Sequence, residues 1–347
     1  METECDIKIK CLIWDLDNTL WNGVLLEDEY VTLRSGITEI IQTLDQRGIL
    51  QSIASRNDHD LAMAKLESLG LKEYFIYPQI NWSAKSASVQ SIAKAINIGI
   101  DTIAFIDDQP FEREEVTSVH AEVLCLDAAD LDLIPELPAM MPHFITDDSK
   151  QRRRMYQADA ERNQQEEQFI GAQDEFLGSL DMVLTIAPAK EADLERAEEL
   201  TVRTNQLNTT GYSYSYNELN EFRTSTHHHL LVAGLEDKYG TYGKIGLALI
   251  EMKDGEWWIR LFLMSCRVMN RGVGTIFINH IRNLAREAGV QLMAEMIPND
   301  RNRMMYMTYK FNHFQELESS DGHVTFKNDL THRSAFPDYM KLILEGL

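Results

Sequence analysis

The stretch CLIWDLDNTLW, Cys11 to Trp21, decides how the first part of this chain folds. A β-branched and aromatic run ends abruptly in Asp-x-Asp-x-Thr, so a buried strand over IKCLIW (9–14) finishes on Asp15 and Asp17. Downstream, Ile37, Ile40, Ile41 and Leu44 recur at the spacing of one helical face. ILQSIAS (49–55) reads as a second strand, followed by a helix carrying Leu66 and Leu69. YFIYP (74–78) is short and strand-like, and the next helix carries Val89, Ile92, Ala93 and Ile96. TIAFID (102–107), a helix through Val116 and the strand AEVLCL (121–126) complete the alternation. Strands alternating with helices predict a parallel, doubly wound α/β sheet, whose ligands bind beyond the carboxyl ends of the strands.

The chain has 347 residues, enough for two domains, and its 44% hydrophobic content can build real cores. A net charge of -22 argues against nucleic-acid or anionic-membrane binding. An anionic substrate then needs local basic residues or a metal ion. Cys5, Cys11, Cys125 and Cys266 are scattered, without a CxxC pair, so neither a zinc site nor a disulfide framework is expected. A reducing cytoplasm is the expected compartment. The N-terminus lacks an apolar signal core, and no apolar run is long enough to span a bilayer. The run His227–His229 reads as a solvated strand edge rather than a metal site.

The proline-containing stretch LIPELPAMMPHFITDDS (133–149) closes the first unit, expected over residues 1–140. Residues 141–180, including KQRRRMYQADAERNQQEEQF (150–169), read as a solvated linker and helical connector. A second domain is expected over 181–347. Its clearest elements are the strands KIGLALIEM (244–252) and EWWIRLFLMS (256–265), a helix carrying Val273, Ile276, Phe277, His280, Ile281 and Leu284, and the strand QLMAEMI (291–297).

In a parallel sheet Asp15, Asp17, Ser55 and the pair Asp107–Asp108 share one rim, with Lys85 opening a helix beside them. Carboxylates converging there repel each other unless a cation neutralises them, and magnesium, a hard ion with oxygen ligands, fits. Such a site lets the Asp15 carboxylate attack a phosphate while Asp17 protonates the leaving oxygen and then activates water. Ser55 can donate a hydrogen bond to the phosphoryl group, and Lys85 supplies fixed positive charge. The order DxDxT, Ser, Lys, acidic pair resembles the haloacid dehalogenase superfamily over roughly the first 120 residues. That resemblance implies Asp15 as nucleophile, Asp17 as acid/base, and magnesium held by Asp15, the Asp17 carbonyl and Asp107. Asn18, Thr19, Arg56, Asn57 and Asp108 are expected around the phosphate, with Glu112 secondary. The gaps between motifs hold only short loops, single helices and a short strand, so no cap domain fits. An open site suits a phosphate presented on a macromolecule or a long tether.

In LFLMSCRVMNRGVGTIFINHI a strand runs into a glycine turn and an amphipathic helix, an arrangement whose backbone N–H groups bind phosphate. Arg267-x-x-Asn270-x-Gly272 resembles the RxxGxG/A loop of the Gcn5-related (GNAT) acyltransferase fold, with Asn270 in place of the first glycine. Asn tolerates positive φ, so the turn can survive, and the single phosphate of phosphopantetheine suffices as ligand. Arg267, Arg271, Gly272, Val273 and Gly274 are the expected pantetheine contacts. Cys266, just before the loop, is placed for an acyl-enzyme thiol, or alternatively packs as a small buried residue.

Together the two centres resemble the FkbH-type glyceryl transferase/phosphatase family of polyketide pathways. The likeness is carried by KCLIWDLDNTLWNGVLLED, SIASRND, PQINWSAKS, FIDDQPFEREEV, ELTVRTNQLNTTG and MSCRVMNRGVG. Thr204, Asn205 and Gln206 look like a polar lining. The family resemblance implies D-1,3-bisphosphoglycerate as donor, a cysteine thioester, an acyl carrier protein as partner, and removal of the 3-phosphate to give D-glyceryl-S-carrier protein. Cys266 is read as the acyl-bearing thiol and Cys11, about 13 Å from Asp15 along a strand at ~3.3 Å per residue, as core packing. The alternative is a magnesium-dependent phosphatase with a non-catalytic second domain.

Overall fold

The computed structural model describes residues 9–345, apart from 205, 254, 321 and 332. The chain divides into two compact units, Met1–Gln157 and Ala158–Leu347. Strands β1 (Cys11–Trp14), β2 (Leu50–Ser55), β3 (Gln79–Ile80), β4 (Ile103–Asp107) and β5 (Leu124–Asp127) form a wholly parallel sheet in the order β3-β2-β1-β4-β5. All four residues of β1 are buried because helices cover both faces, which explains its unbroken apolar run. The helices are α1 (Ile37–Gln46), α2 (His59–Ser68), α3 (Lys85–Ile96) and α4 (Pro110–Val119). The expected strand YFIYP is instead a single bridge at Phe75, and pairing with β2 resumes at Gln79. Only a two-stranded flap, Trp21–Asn22 with Thr32–Leu33, stands between β1 and α1, so the unit is capless.

The stretch expected as a solvated connector is divided between the units. Helix α5 (Arg152–Gln168) has no apolar stripe, yet it is anchored at both ends by arginines. In the first unit Arg152 donates to the Gly48 carbonyl at 2.8 Å, and Arg153 reaches Asp45 at 2.9 Å and the Glu73 carbonyl at 2.9 Å. In the second, Arg162 is fully buried against Asp237 at 2.7 Å. The helix itself is the one expected; the buried ion pairs that fix it have no apolar periodicity to announce them.

The second unit is an eight-stranded mixed sheet. Its strands are β6 (Met182–Pro188), β7 (His228–Asp237), β8 (Gly240–Lys253), β9 (Glu256–Met264), β10 (Gln291–Met296), β11 (Phe314–Ser320), β12 (His323–Asn328) and β13 (Met340–Leu344), in the order β11-β12-β10-β9-β8-β7-β6-β13. Alternation along β9 serves two cores. Leu261 and Leu263 pack with helices α6 (Leu194–Arg203) and α7 (Tyr216–Thr224). Phe262 and Met264 pack with α8 (Val273–Glu287) and α9 (Arg303–Phe311). The histidine run opens β7, an interior strand rather than an edge, where His228 meets the Ser225 hydroxyl at 2.9 Å and His229 lies edge-on to Trp257. Burial lowers the pKa of both rings.

Strands β9 and β10 run parallel only from Glu256/Gln291 to Ile259/Ala294, then part. Residues Leu207–Thr209 occupy the gap. The Thr209 N–H donates to the Phe262 carbonyl at 3.1 Å, the Met264 N–H to the Leu207 carbonyl at 2.8 Å, and the Ile297 N–H to the Thr209 carbonyl at 2.9 Å. No helix among the described residues is long and apolar enough to cross a membrane.

Candidate functional site

The end of β1 turns sharply because three successive N–H groups, of Thr19, Leu20 and Trp21, converge on the Leu16 carbonyl at 2.8–3.2 Å, with Asn18 at φ 54°. This turn sets Asp15 and Asp17 beside the ends of β2 and β4. Lys85 opens α3, where a cation opposes the helix dipole, and it is only 3% exposed. Its three N–H bonds are all used. Lys85 Nζ donates to Asp15, to Asp107 at 3.1 Å and to the Ala54 carbonyl at 2.8 Å. Burial alone would push the Lys85 pKa down, but Asp15 and Asp107 hold it above the ordinary value.

Asp15, Asp107 and Asp108 offer carboxylate oxygens within 4.8 Å of one another. One lysine cannot balance three carboxylates. Burial first, then the Asp15 charge, pushes Asp107 up to about 6, against the pull of Lys85. This deficit of positive charge and the all-oxygen donor set fit a magnesium ion. A pH prediction follows for the metal-free protein. Folded Asp107 keeps its proton to about pH 6, whereas the unfolded group releases it near 3.8. The group's contribution therefore makes stability fall as pH rises through this window. Thermal unfolding of the native and Asp107→Asn proteins in chelator should show the steeper decline only in the native chain. Magnesium should remove it, and identical slopes would count against the assignment.

Asp17 is half-buried and held by three donors: Trp21 Nε1 at 2.8 Å, the Leu25 N–H at 3.0 Å and Asn57 Nδ2 at 2.9 Å. These bonds fix the direction of its carboxylate. Burial raises its pKa, partly offset by the bonds from Leu25 and Trp21, as suits an acid/base group. Ser55 closes β2 and is 4% exposed.

Several residues expected around the phosphate bond to one another and to the rim loops. Thr19 is fully buried and its hydroxyl accepts from the Asp108 N–H at 3.0 Å, which joins two rim loops. Asn57 is 1% exposed and fixes Asp17. The Asn18 side chain accepts from the Gly23 N–H at 3.1 Å within the turn. Arg56 remains partly exposed, paired with Glu112 at 2.9 Å and donating to the Ser83 carbonyl at 3.3 Å. Arg113 was not anticipated. It donates to the Asp107 carbonyl at 2.6 Å and to Asp127 at 2.5 Å, which braces the end of β4. Its i+6 spacing from Asp107 was the available signal.

In the second unit Cys266 is half-buried and starts a short 3-10 turn, Cys266–Val268, after β9. Cys11 is wholly buried at the far end of β1, where burial pushes its thiol pKa up. The expected pantetheine set is only partly presented. Arg271 is 5% exposed and paired with Glu166 at 2.8 Å, and Val273 is in the core. Arg267 donates to the Tyr242 carbonyl at 2.8 Å. These side chains hold the turn to its own unit. Gly272 caps α8 at φ 72°, and Gly274 lies in its first turn. A Cβ on Gly272 would clash with the Tyr339 hydroxyl. Gly272→Ala should cost about 1–2 kcal/mol from the left-handed backbone and the clash. Thermal unfolding in a Tyr339→Phe background should recover the steric share, and no recovery would refute the contact.

The anticipated polar lining, Thr204 to Gln206, is described only in part. Thr204 is buried and caps α6 by its N–H bond to the Leu200 carbonyl at 3.0 Å, Gln206 is half-buried, and Asn205 lies outside the described residues. The structural weight falls on Asn208 and Asn302, both wholly buried. Asn208 Oδ1 accepts from the Thr210 and Gly211 N–H groups at 3.1 and 2.9 Å. Asn302 Nδ2 donates to the Asn208 and Ile297 carbonyls at 3.1 and 2.9 Å, locking the inserted segment.

No protein-family profile and no curated protein matches the chain. Among solved structures, the N-terminal part of a Bacteroides fragilis protein, containing a phosphatase domain complexed with Mg, is 31% identical over 36% of this chain, with a TM-score of 0.32; the match spans 38% of that chain. The GNAT domain of S. lividans PAT is 19% identical over 41% of this chain and 88% of its own, at a TM-score of 0.33. A Thermoplasma acidophilum PaiA N-acetyltransferase in complex with coenzyme A is 12% identical over 42% of this chain and 98% of its own, at 0.34. Strand order gives the chain its architecture: a capless, wholly parallel α/β unit followed by a mixed-sheet α/β unit, the fold classes expected of a haloacid dehalogenase-like and an acyltransferase-like sequence.

Proposed function

We propose that the chain is a bifunctional glyceryl transferase and phosphatase. It would take the glyceryl unit of D-1,3-bisphosphoglycerate through a thioester on Cys266 to the phosphopantetheine arm of an acyl carrier protein, and remove the 3-phosphate. The observation that carries the phosphatase half is the buried Asp15–Lys85–Asp107 cluster beside a separately anchored Asp17. Asp15 attacks phosphorus as the ester P–O bond breaks, and Asp17 gives its proton to the leaving oxygen. Asp17 then takes a proton from water, which attacks the phosphorus of phospho-Asp15 and releases inorganic phosphate. Lys85, bonded to the Asp15 carboxylate, aims it for attack. Magnesium on Asp15, the Asp17 carbonyl and Asp107 would neutralise the charge of the approaching phosphate.

For the transferase half, a Cys266 thiolate attacks the acyl phosphate, the C–O bond breaks, and phosphate leaves. The arm thiolate then attacks the thioester and frees Cys266. Intact-protein mass measurement after adding D-1,3-bisphosphoglycerate should show a glyceryl or phosphoglyceryl adduct that maps to Cys266 and vanishes in Cys266→Ser. An adduct on Cys11, or undiminished loading of carrier protein by the variant, would move or remove the acyl-enzyme step. One observation favours the simpler reading, a phosphatase with a non-catalytic second unit: Leu207–Thr209 already bonds to the edge of β9 in the gap beside β10.

A further inference from the structure

Two large aromatic rings stand in solvent beside the carboxylate site. Trp82 is 69% exposed and Phe111 68%. Both ride on rigid backbone tied to the rim. The turn bearing Trp82 is fixed by the Asn81 N–H bond to the Ser55 carbonyl at 3.0 Å and by the Ser83 N–H bond to Asn81 Oδ1 at 2.8 Å. Phe111 lies in the first turn of α4, next to Gln109, whose N–H donates to Asp107 at 2.8 Å. Arg56 joins the two supports, since it donates to the Ser83 carbonyl and pairs with Glu112. Ser83 and Glu112 are the sequence neighbours of the two rings.

Exposed aromatic residues on fixed backbone make low-entropy binding surfaces. The residues around them narrow the ligand. With Glu112 neutralised by Arg56, the half-buried Asp108 and Glu115 and the exposed Glu114 would repel a polyanion such as a nucleotide. A chain that is uncharged along its length, with amide and methyl groups to lie against the rings and a phosphate only at the reacting end, meets no such penalty. The capless rim leaves room for it to extend outward.

We propose that Trp82 and Phe111, braced by Arg56, recognise the pantetheine arm of a phosphoacyl thioester and select for tethered over free phosphate esters at the Asp15 site. This rests on the phosphatase reading above. The rings act on binding of the arm and take no part in the bond changes at phosphorus.

The test is equilibrium binding to the full chain carrying Asp15→Asn, with magnesium present, using S-(3-phosphoglyceryl)pantetheine and 3-phosphoglycerate as probes. The ratio of the two affinities should favour the thioester, and should fall at least tenfold when Trp82→Ala and Phe111→Ala are added, with unfolding temperature unchanged. A ratio that stays within twofold overturns the proposal, as does an equal loss for both probes. Preferential binding of ATP that is lost in the same double variant would also overturn it, in favour of a nucleotide. Phosphate release by the unsubstituted chain is measured alongside. If it is absent while the binding contrast persists, the phosphatase reading fails and arm recognition stands.

Discussion

Asp15→Asn is expected to reduce phosphate release by roughly 10^4-fold or more, the scale on which loss of a covalent nucleophile acts. Asparagine keeps the size of the side chain but cannot form the acyl-phosphate bond. The same change removes the charge that, after burial, raises the Asp107 pKa most, so Asp107 should titrate lower in the variant. One carboxylate fewer also lessens the repulsion that Lys85 only partly offsets, and unfolding of the metal-free variant should occur at or above the native temperature. Loss of activity without loss of stability is thus the expected pair of results. Phosphate release within tenfold of the native rate, measured with excess magnesium, would rule out Asp15 as the nucleophile.

Arg162→Ala should cost about 3–5 kcal/mol of stability, the range for breaking one half of a buried ion pair. The Arg162 and Asp237 side chains are both 0% exposed and meet in a two-pronged contact at 2.7 and 2.8 Å. Arg162 also donates to Asp159 at 2.7 Å and stacks 3.9 Å over the Tyr242 ring. Removing it strands Asp237, which keeps only smaller donors such as the Tyr242 hydroxyl at 3.0 Å. Burial already raises the Asp159 pKa, and Arg267, Arg162 and Arg271 together pull it back. The turn after Cys266 is tied to α5 through Arg271 to Glu166, and to β8 through Arg267 to the Tyr242 carbonyl. Urea unfolding is the measurement. A cost below about 1 kcal/mol, or additive losses in a double-mutant cycle with Asp237→Ala, would show that the pair is not the anchor described.

Much of the first unit was legible because its signals are local. A strand buried on both faces must be apolar throughout, and its polar residues then mark the end where the chain leaves the core. That logic placed Asp15, Ser55 and Asp107 on one rim before any coordinates. The helical faces of α1, α3 and α8 were equally plain from periodicity. For Thr19, Asn57 and Arg56 the sequence shows that they lie near a motif, not which protein groups their side chains hold. Their hydrogen bonds to Asp108, Asp17 and Glu112 depend on strands 40 to 90 residues away.

Helix α5 shows the opposite limit. Its arginines look solvated because charge usually is, and only the presence of Asp45, Glu73 and Asp237 from distant elements makes burial affordable. The segment after Thr204 is a similar case. Thr204 to Gln206 suggested a polar lining from residue type; the parting of β9 from β10 after Ile259, which leaves unpaired backbone groups that Leu207–Thr209 satisfies, had no such local signal. The sequence alone therefore determined the alternation of elements and the residue types at the strand ends, since these follow from burial and short-range geometry. The tertiary structure decided which of those polar groups face the site and which are consumed holding it together, because that depends on partners brought near only by folding.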